Sequence, residues 1–371
     1  MNTVCVSDAH PHLPAPDSHW RVWVVYGLAW ASARRWAADA ADPAVVGGGR
    51  FLTLHAYREA EPGPRWRALY DATWPAYRRW YTREGLAVRP SLRECRDALI
   101  RYLPELVPTW ERLCRLSRND SVAARMLSMW RMPAFAVGCS QAVLPGEQPA
   151  LVRNYDYDPS LFEAVIASTD YSRRRRVLGT SDMLWGLLDG MNEDGLAVSL
   201  AFGGRPDVGA GFGIPIVLRY VLETCATVEQ AVGALRRIPV SQSYNVALVD
   251  IAGEHATVFV APGQPAEVSG LHATTNHRLD QVEHHAHAAR FNSAGRRARL
   301  EEVRAGEPTS RKLVAAMLAP PMRNDQFELG FGTLYTAEYR PAAGVATWHW
   351  PETYWSRGFD DTDEVRKISL A

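Results

Sequence analysis

The spacing of hydrophobic and polar residues changes once along the chain, near Ala134. Between Trp66 and Trp130, apolar and aromatic residues recur every three or four positions, which is the spacing of one helix face. After Ala134 the apolar residues form short or alternating runs that turns separate, which is typical of strands. The first part therefore predicts helices, and the second predicts sheets with a few helices.

Capping residues set the predicted helix boundaries in the first part. Ser91 can cap a helix over residues 92–103, which Pro104 ends or kinks. A helix that runs to Trp130 has three candidate caps, Asn119, Asp120 and Ser121. Residues 1–19 contain several Pro and His residues and predict no regular element.

In the second part, hairpins alternate with pairs of helices. The predicted strands are 136–143, 151–157, 185–188, 196–202, 245–250, 256–260, 271–275, 333–339 and 345–350. The predicted helices are 214–224, 228–237, 294–303 and 310–318, and Thr227 with Gln230 predicts a capping box for the second of them. Antiparallel hairpins with segregated helix pairs predict a layered α+β sandwich.

Composition narrows the class of protein. The length of 371 residues fits two domains or one large domain with an appendage, and the 47% share of hydrophobic residues is typical of a globular protein. Forty-one basic and 41 acidic residues cancel, so the net charge indicates neither a nucleic-acid partner nor a membrane surface. No run approaches the roughly 20 apolar residues of a membrane helix, and the N-terminus lacks the order of a signal peptide. We therefore expect a cytoplasmic protein.

The cysteines are five and widely spaced, and no CxxC pair occurs. This pattern indicates neither a disulfide framework nor a zinc ribbon, so a functional cysteine must act alone. Cys139 follows Gly138, whose carbonyl is open to attack by the neighbouring thiol. By itself, a cysteine with apolar neighbours is more typical of a buried core residue.

Two polar segments add chemistry to Cys139. On a strand, Arg153 and Asp156 point to opposite faces, so the guanidinium can favour a thiolate while the carboxylate orients an amine. Asn276 ends a predicted strand and can donate its amide N–H to an oxyanion. Alone, that asparagine is better explained by a turn.

Five short motifs then occur in order: Gly138-Cys139-Ser140, Arg153-Asn154-Tyr155-Asp156, Asp189-Gly-Met-Asn192-Glu-Asp-Gly195-Leu196, Thr275-Asn276-His277 and Thr333-Leu334-Tyr335. Over about residues 60–355, this series resembles the N-terminal-nucleophile hydrolases of the acyl-CoA:6-aminopenicillanic acid acyltransferase branch. Choloylglycine hydrolase is a more distant cousin.

The resemblance implies a four-layer αββα sandwich and a proenzyme that cuts itself between Gly138 and Cys139. Residues 1–138 would form a helical pro-region, retained as a small subunit, and residues 139–371 the hydrolase domain. No cofactor and no metal ion are expected.

The resemblance also implies roles for single residues. Cys139 matches the nucleophile, Asp156 the residue that holds the new α-amino group, Arg153 the arginine beside the thiolate, and Asn276 an oxyanion donor. Supporting or binding roles fall to Asn154, Ser293, Arg296 and Tyr335, with Arg297 and Arg299 as competitors of Arg296. Residues 199–202 lack the asparagine that would supply a second oxyanion donor in the cousin hydrolases.

These roles predict cleavage or transfer at a linear amide C–N bond of a small N-acylated metabolite through a Cys139 thioester. One alternative is acyl transfer from a thioester of coenzyme A or a carrier protein to an amine. A second is a catalytically inactive binding protein, in which Cys139 is no more reactive toward iodoacetamide than Cys225. The expected partner is a small N-acyl amine or acyl thioester, not nucleic acid or membrane, and a homo-oligomer stays open.

Three further clusters have both a chemical and a structural interpretation. The imidazoles of His284, His285 and His287 suit zinc, copper or nickel, but a solvated cluster is favoured. The run of arginines at 173–176 suits phosphate, but an exposed loop is favoured. Helix-spaced tryptophans are more often core than a ligand stripe, and this applies to Trp66, Trp74, Trp80, Trp110 and Trp130.

Overall fold

Two β-sheets face each other in the computed structural model, which describes residues 50–135, 137–205, 207–279, 285–306, 308–329 and 331–370. The strands are β1 (Phe51–Glu59), β2 (Gly138–Leu144), β3 (Ala150–Tyr157), β4 (Val165–Thr169), β5 (Val177–Asp182), β6 (Gly186–Asn192), β7 (Ala197–Phe202), β8 (Tyr244–Val249), β9 (His255–Val260), β10 (Glu267–Ser269), β11 (Ala273–Thr274), β12 (Gly332–Arg340), β13 (Val345–Trp350), β14 (Thr353–Arg357) and β15 (Glu364–Ser369). The nine-stranded sheet has the order β10-β9-β8-β7-β6-β5-β4-β1-β15, and the six-stranded sheet the order β11-β2-β3-β12-β13-β14.

Helices cover the outer face of each sheet. The helices are α1 (Pro64–Thr82), α2 (Leu92–Tyr102), α3 (Val107–Leu116), α4 (Ser121–Leu127), α5 (Ile214–Thr224), α6 (Val228–Arg237), α7 (His285–Arg290), α8 (Ser293–Ala305) and α9 (Ser310–Met317). Helices α5 and α6 pack on the nine-stranded sheet, and α8 and α9 on the six-stranded sheet. This arrangement confirms the predicted αββα sandwich. Within the described ranges, no helix has the length and apolar character needed to cross a membrane.

The helix caps follow local chemistry. Ser91 and Glu94 form a complete capping box at α2, and Asp120 is the cap of α4. At α6, Thr227 accepts from the backbone N–H of Gln230 as expected, but the Gln230 side chain accepts from Ala226 instead of closing the box. The predicted reciprocal box is therefore only half formed.

Several strands have no counterpart in the sequence analysis. Strands β4 and β5 are buried at every position, so no alternation between apolar and polar residues marks them. Strand β1 lies in the part predicted to be helical, yet it pairs in parallel with β4 and antiparallel with β15. The segment before Cys139 thus contributes a strand to the nine-stranded sheet.

Helix α1 is anchored to the sheets by buried polar contacts. The Trp66 indole donates to the carbonyl of Leu184 at 3.0 Å, and the Tyr77 hydroxyl donates to the Glu163 carboxylate. Burial and the neighbouring Asp182 carboxylate raise the pKa of Glu163, so the carboxyl groups of Glu163 and Asp182 favour one shared proton. Four of the five tryptophans in the proposed stripe are core residues, namely Trp66, Trp74, Trp80 and Trp110, whereas Trp130 is half-buried.

The arginine run and the histidine cluster lie partly in ion pairs and partly outside the described residues. Arg173 pairs with Glu61, Arg175 with Asp194, and Arg176 with both Glu193 and Asp360. His284 lies outside the described residues, as does the His287 side chain. Among the residues that are described, no three His, Cys, Asp or Glu side chains are grouped to hold a metal ion.

Candidate active site

Cys139 lies near the start of β2, opposite Tyr155 on β3. Because side chains alternate across a strand, the thiol and Arg153 share the face that points into the sandwich. The Nη2 atom of Arg153 donates to the Cys139 Sγ at 3.2 Å, and both side chains are fully buried. The strand hairpin therefore brings the predicted thiol and guanidinium into direct contact.

A buried carboxylate holds Arg153 in place. Asp189 on β6 pairs with Arg153, and it accepts hydrogen bonds from the hydroxyls of Tyr335 at 2.7 Å and Tyr339 at 2.5 Å. Tyr335 also accepts from Arg153 at 3.2 Å. Burial raises the pKa of the Cys139 thiol, while the Arg153 charge acts in the opposite direction.

Asp156 lies on the opposite face of β3, directly across from Gly138. Its Oδ1 accepts from the Thr333 hydroxyl at 2.7 Å, and its Oδ2 lies 3.6 Å from the Arg296 guanidinium. Burial raises the pKa of Asp156, and Arg296 opposes that rise. The carboxylate is thus beside the Gly138–Cys139 peptide bond, on the side away from the thiol.

The Asn276 side chain contacts the same peptide bond. Its Oδ1 accepts from the backbone N–H of Cys139 at 3.0 Å and from Arg296 Nη2 at 2.8 Å. Because both partners can only donate, they fix which end of the amide is the oxygen. The Nδ2 group donates to the carbonyls of Phe202 at 3.0 Å and Val137 at 3.4 Å, so the amide donor lies next to the segment that precedes Cys139.

Arg296 is the arginine of α8 that enters this site. It donates to the carbonyl of Cys139 at 2.8 Å and to the Ser140 hydroxyl at 2.6 Å. Its competitors lie elsewhere, since Arg297 donates to the backbone of residue 279 and Arg299 pairs with Glu302.

Ser293 supports Asn276 from the first turn of α8. Its hydroxyl accepts from the backbone N–H of Asn276 at 2.8 Å and lies 2.7 Å from His277 Nδ1. Asn154 is different, because its amide donates to the carbonyls of Met317 and Met322 and so ties the end of α9 to β3. The structure therefore gives Asn154 a supporting contact outside the group around the thiol.

Two contacts of the site were not assigned from the sequence. Asp189 follows two leucines in a strand that is buried at every position, and a buried carboxylate there requires a cation or several donors, which is a usable signal. Thr333 was noted in a motif without a role, and its partner Asp156 is 177 positions away in the sequence.

A family model described as acyl-coenzyme A:6-aminopenicillanic acid acyl-transferase matches residues 143–355, which is more than half of the chain. The match starts shortly after Cys139 and contains Arg153, Asp156 and Asn276. The sequence matches no curated protein.

Similar solved structures are related at low identity. A mutant of the conjugated bile acid hydrolase from Clostridium perfringens is 14% identical, with a TM-score of 0.44 over 62% of this chain and 96% of its own. The penicillin V acylase from Agrobacterium tumefaciens is 18% identical, with a TM-score of 0.42 over 63% and 92%. The Caenorhabditis elegans ortholog of N-acylethanolamine-hydrolyzing acid amidase is also 18% identical, with a TM-score of 0.41 over 55% and 93%.

Proposed function

Because the chain belongs to the acyl-coenzyme A:6-aminopenicillanic acid acyltransferase family of enzymes, we propose that it is a self-processing cysteine amidohydrolase. Its substrate would be a linear amide of a small N-acylated molecule. The proposal rests on two hydrogen bonds of Cys139. Arg153 donates to the Cys139 thiol, and the Cys139 backbone N–H donates to Asn276.

Self-cleavage would convert that nitrogen into a catalytic base. The Cys139 thiolate attacks the Gly138 carbonyl, the C–N bond breaks as the nitrogen takes up a proton, and water hydrolyses the resulting thioester. The products are a Gly138 carboxylate and a free α-amino group on Cys139. The reference pKa of an α-amino group is about 7.7–8.0 and that of a thiol about 8.5, so the amine can take the thiol proton near neutral pH.

The neighbouring residues then have distinct roles in the proposal. Arg153 favours the thiolate and Asp156 orients the α-amino group. Asn276 donates to the oxyanion of the tetrahedral intermediate the N–H that bonds the Val137 carbonyl at 3.4 Å in the uncut chain. Attack on an N-acyl amine gives an acyl-thioester on Cys139 and releases the amine. If water attacks this thioester, the enzyme acts as a hydrolase. If a second amine attacks it, the result is the acyl transfer that the family description names.

The proposed products of self-cleavage are residues 1–138 and 139–371. Strand β1 of the first segment lies between β4 and β15 of the second, so the two segments would stay associated through main-chain hydrogen bonds. A cytoplasmic location stays a prediction from the sequence.

The direct test is to trap the acyl-enzyme. Purified protein is incubated with a library of N-acyl amines and acyl thioesters, quenched in acid and digested for peptide mass spectrometry. We expect an acyl adduct on a peptide that begins at Cys139, and none on the Cys225 peptide. That thiol is buried beside Thr224, and no arginine among the described residues donates a hydrogen bond to it. Adducts on neither cysteine, or equally on both, would contradict the proposal.

A methyl group at position 138 is expected to slow self-cleavage. A Cβ there would lie 3.0 Å from the Asp156 Cβ and 3.1 Å from the Phe331 ring, so these neighbours or the scissile peptide must give by a few tenths of an ångström. We expect Gly138→Ala to slow cleavage by several-fold, since a displacement of about 1 Å can cost about 10² in rate and a smaller one costs less. A gel time course measures this rate. Gly233→Ala is the matched control, because its Cβ would meet no described atom within 4 Å beyond its chain neighbours and its own helix backbone. An equal effect there would argue against the steric explanation.

A further inference from the structure

A side chain from the nine-stranded sheet holds the backbone of Asn276. Asn245 lies on β8 and is 1% exposed. Its Nδ2 atom donates to the carbonyl of Thr275 at 2.8 Å and to the carbonyl of His277 at 2.7 Å. These carbonyls directly precede and follow Asn276, so one amide group fixes the chain on both sides of it.

The same position is connected to the strand of the nucleophile. The Gln141 side chain donates to the backbone carbonyl of Asn245 at 2.9 Å and to the Thr274 hydroxyl at 2.9 Å. Gln141 lies two residues after Cys139 on β2. The contacts of Asn245 therefore couple the placement of Asn276 to that of Cys139 across the interface of the two sheets.

Within the described part of the chain, both side-chain hydrogen bonds of Asn245 are donated by Nδ2. The Oδ1 atom is buried and accepts no hydrogen bond from the described residues, which is an energetically costly arrangement. A primary amide supplies two N–H donors from one nitrogen, whereas a carboxylate supplies none and a hydroxyl supplies one. The position therefore uses the two N–H donors of the amide and leaves its oxygen unused, which explains why an amide suits it.

We propose that Asn245 is a positioning residue, which sets the direction in which Asn276 presents its amide N–H to the reacting carbonyl. This inference rests on the proposed function. Asn245 itself has no hydrogen bond to the thiol or to the Gly138–Cys139 peptide among the described contacts, and it acts through Asn276. Without the two anchors the Asn276 backbone can move, and small displacements of a catalytic group reduce the rate steeply.

The test compares two asparagines that each donate through Nδ2 to two backbone carbonyls, although only Asn192 also accepts through Oδ1, from the Leu196 N–H at 2.9 Å. Asn192 on β6 also donates through Nδ2 to two carbonyls, those of Leu222 at 2.8 Å and Cys225 at 2.7 Å, but these belong to the α5 layer outside the sheets. On the cut enzyme, Asn245→Asp should lower kcat about 10- to 100-fold with KM within about twofold. Each variant loses two buried hydrogen bonds, so both should lower the thermal midpoint of unfolding. Asn192→Asp should nevertheless leave kcat at the wild-type value.

Alkylation separates positioning from general loss of structure. Iodoacetamide reacts with a thiolate by displacement at carbon and forms no tetrahedral oxyanion, so its rate at Cys139 should be unchanged in Asn245→Asp. Asn245→Thr retains one donor and should give an intermediate kcat, which decides the question if the Asp variant does not fold.

Two results would overturn the inference while the proposed function stands. One is a wild-type kcat in the folded Asn245 variants, and the other is an equal loss of alkylation and turnover. If wild-type protein forms no acyl-enzyme on Cys139, the proposed function fails first and this role for Asn245 fails with it.

Discussion

An alanine at position 139 is expected to leave a single 371-residue chain that has no amidase activity. The alanine side chain has no atom that can attack the Gly138 carbonyl or accept an acyl group, and deleting a nucleophile costs on the order of 10⁴-fold or more in rate. Denaturing mass spectrometry should therefore show residues 1–138 and 139–371 for the wild type and only the intact chain for Cys139→Ala.

Two further variants make this result specific. Cys139→Ser keeps a weaker nucleophile at the same position, and we expect slow but detectable cleavage. Cys225→Ala removes a thiol that is also buried, in this case beside Thr224, and should be cut at the wild-type rate. A wild-type chain that stays intact, or a Cys139→Ala chain that is cut at the same bond, would contradict self-processing by Cys139.

The immediate surroundings of Cys139 could be predicted because they depend on local geometry. A short hairpin joins β2 to β3, so the alternation of side chains alone places Arg153 and Asp156 on opposite faces. The structure agrees, with the guanidinium at the thiol and the carboxylate beside Gly138. The α+β layering followed equally well from turn residues and helix periods.

The supporting contacts could not be predicted, because they join residues that only the tertiary fold brings together. Asp189 meets Arg153 from the opposite sheet, and Asn245 meets the carbonyls around Asn276 in the same way. Strands β4 and β5 escaped detection because burial on both faces removes the alternation that identifies a strand. Local pattern therefore raised these residues as candidates and the family resemblance implied their roles, whereas long-range packing determines how they are held.

The second large effect is expected at Arg153. Its hydrogen bond to the thiol is charge-assisted, and such bonds contribute about 1.5–3 kcal/mol, or about 10- to 100-fold in the population of thiolate. Because the guanidinium favours the charged form, Arg153→Met should raise the pKa of Cys139 further above its ordinary value. Self-cleavage should slow about 10- to 100-fold at neutral pH, and its rise with pH should move to higher pH. A series of cleavage rates across pH measures both effects.

Stability must be separated from reactivity in this experiment, because Arg153→Met leaves the Asp189 carboxylate buried without its cation. Breaking a buried ion pair on one side costs about 3–5 kcal/mol of folding free energy. The double variant Arg153→Met with Asp189→Asn removes both charges, so it should recover much of that stability while cleavage stays slow. If the double variant folds like the wild type and is also cut at the wild-type rate and pH, then Arg153 stabilises the sandwich and has no part in activating the thiol.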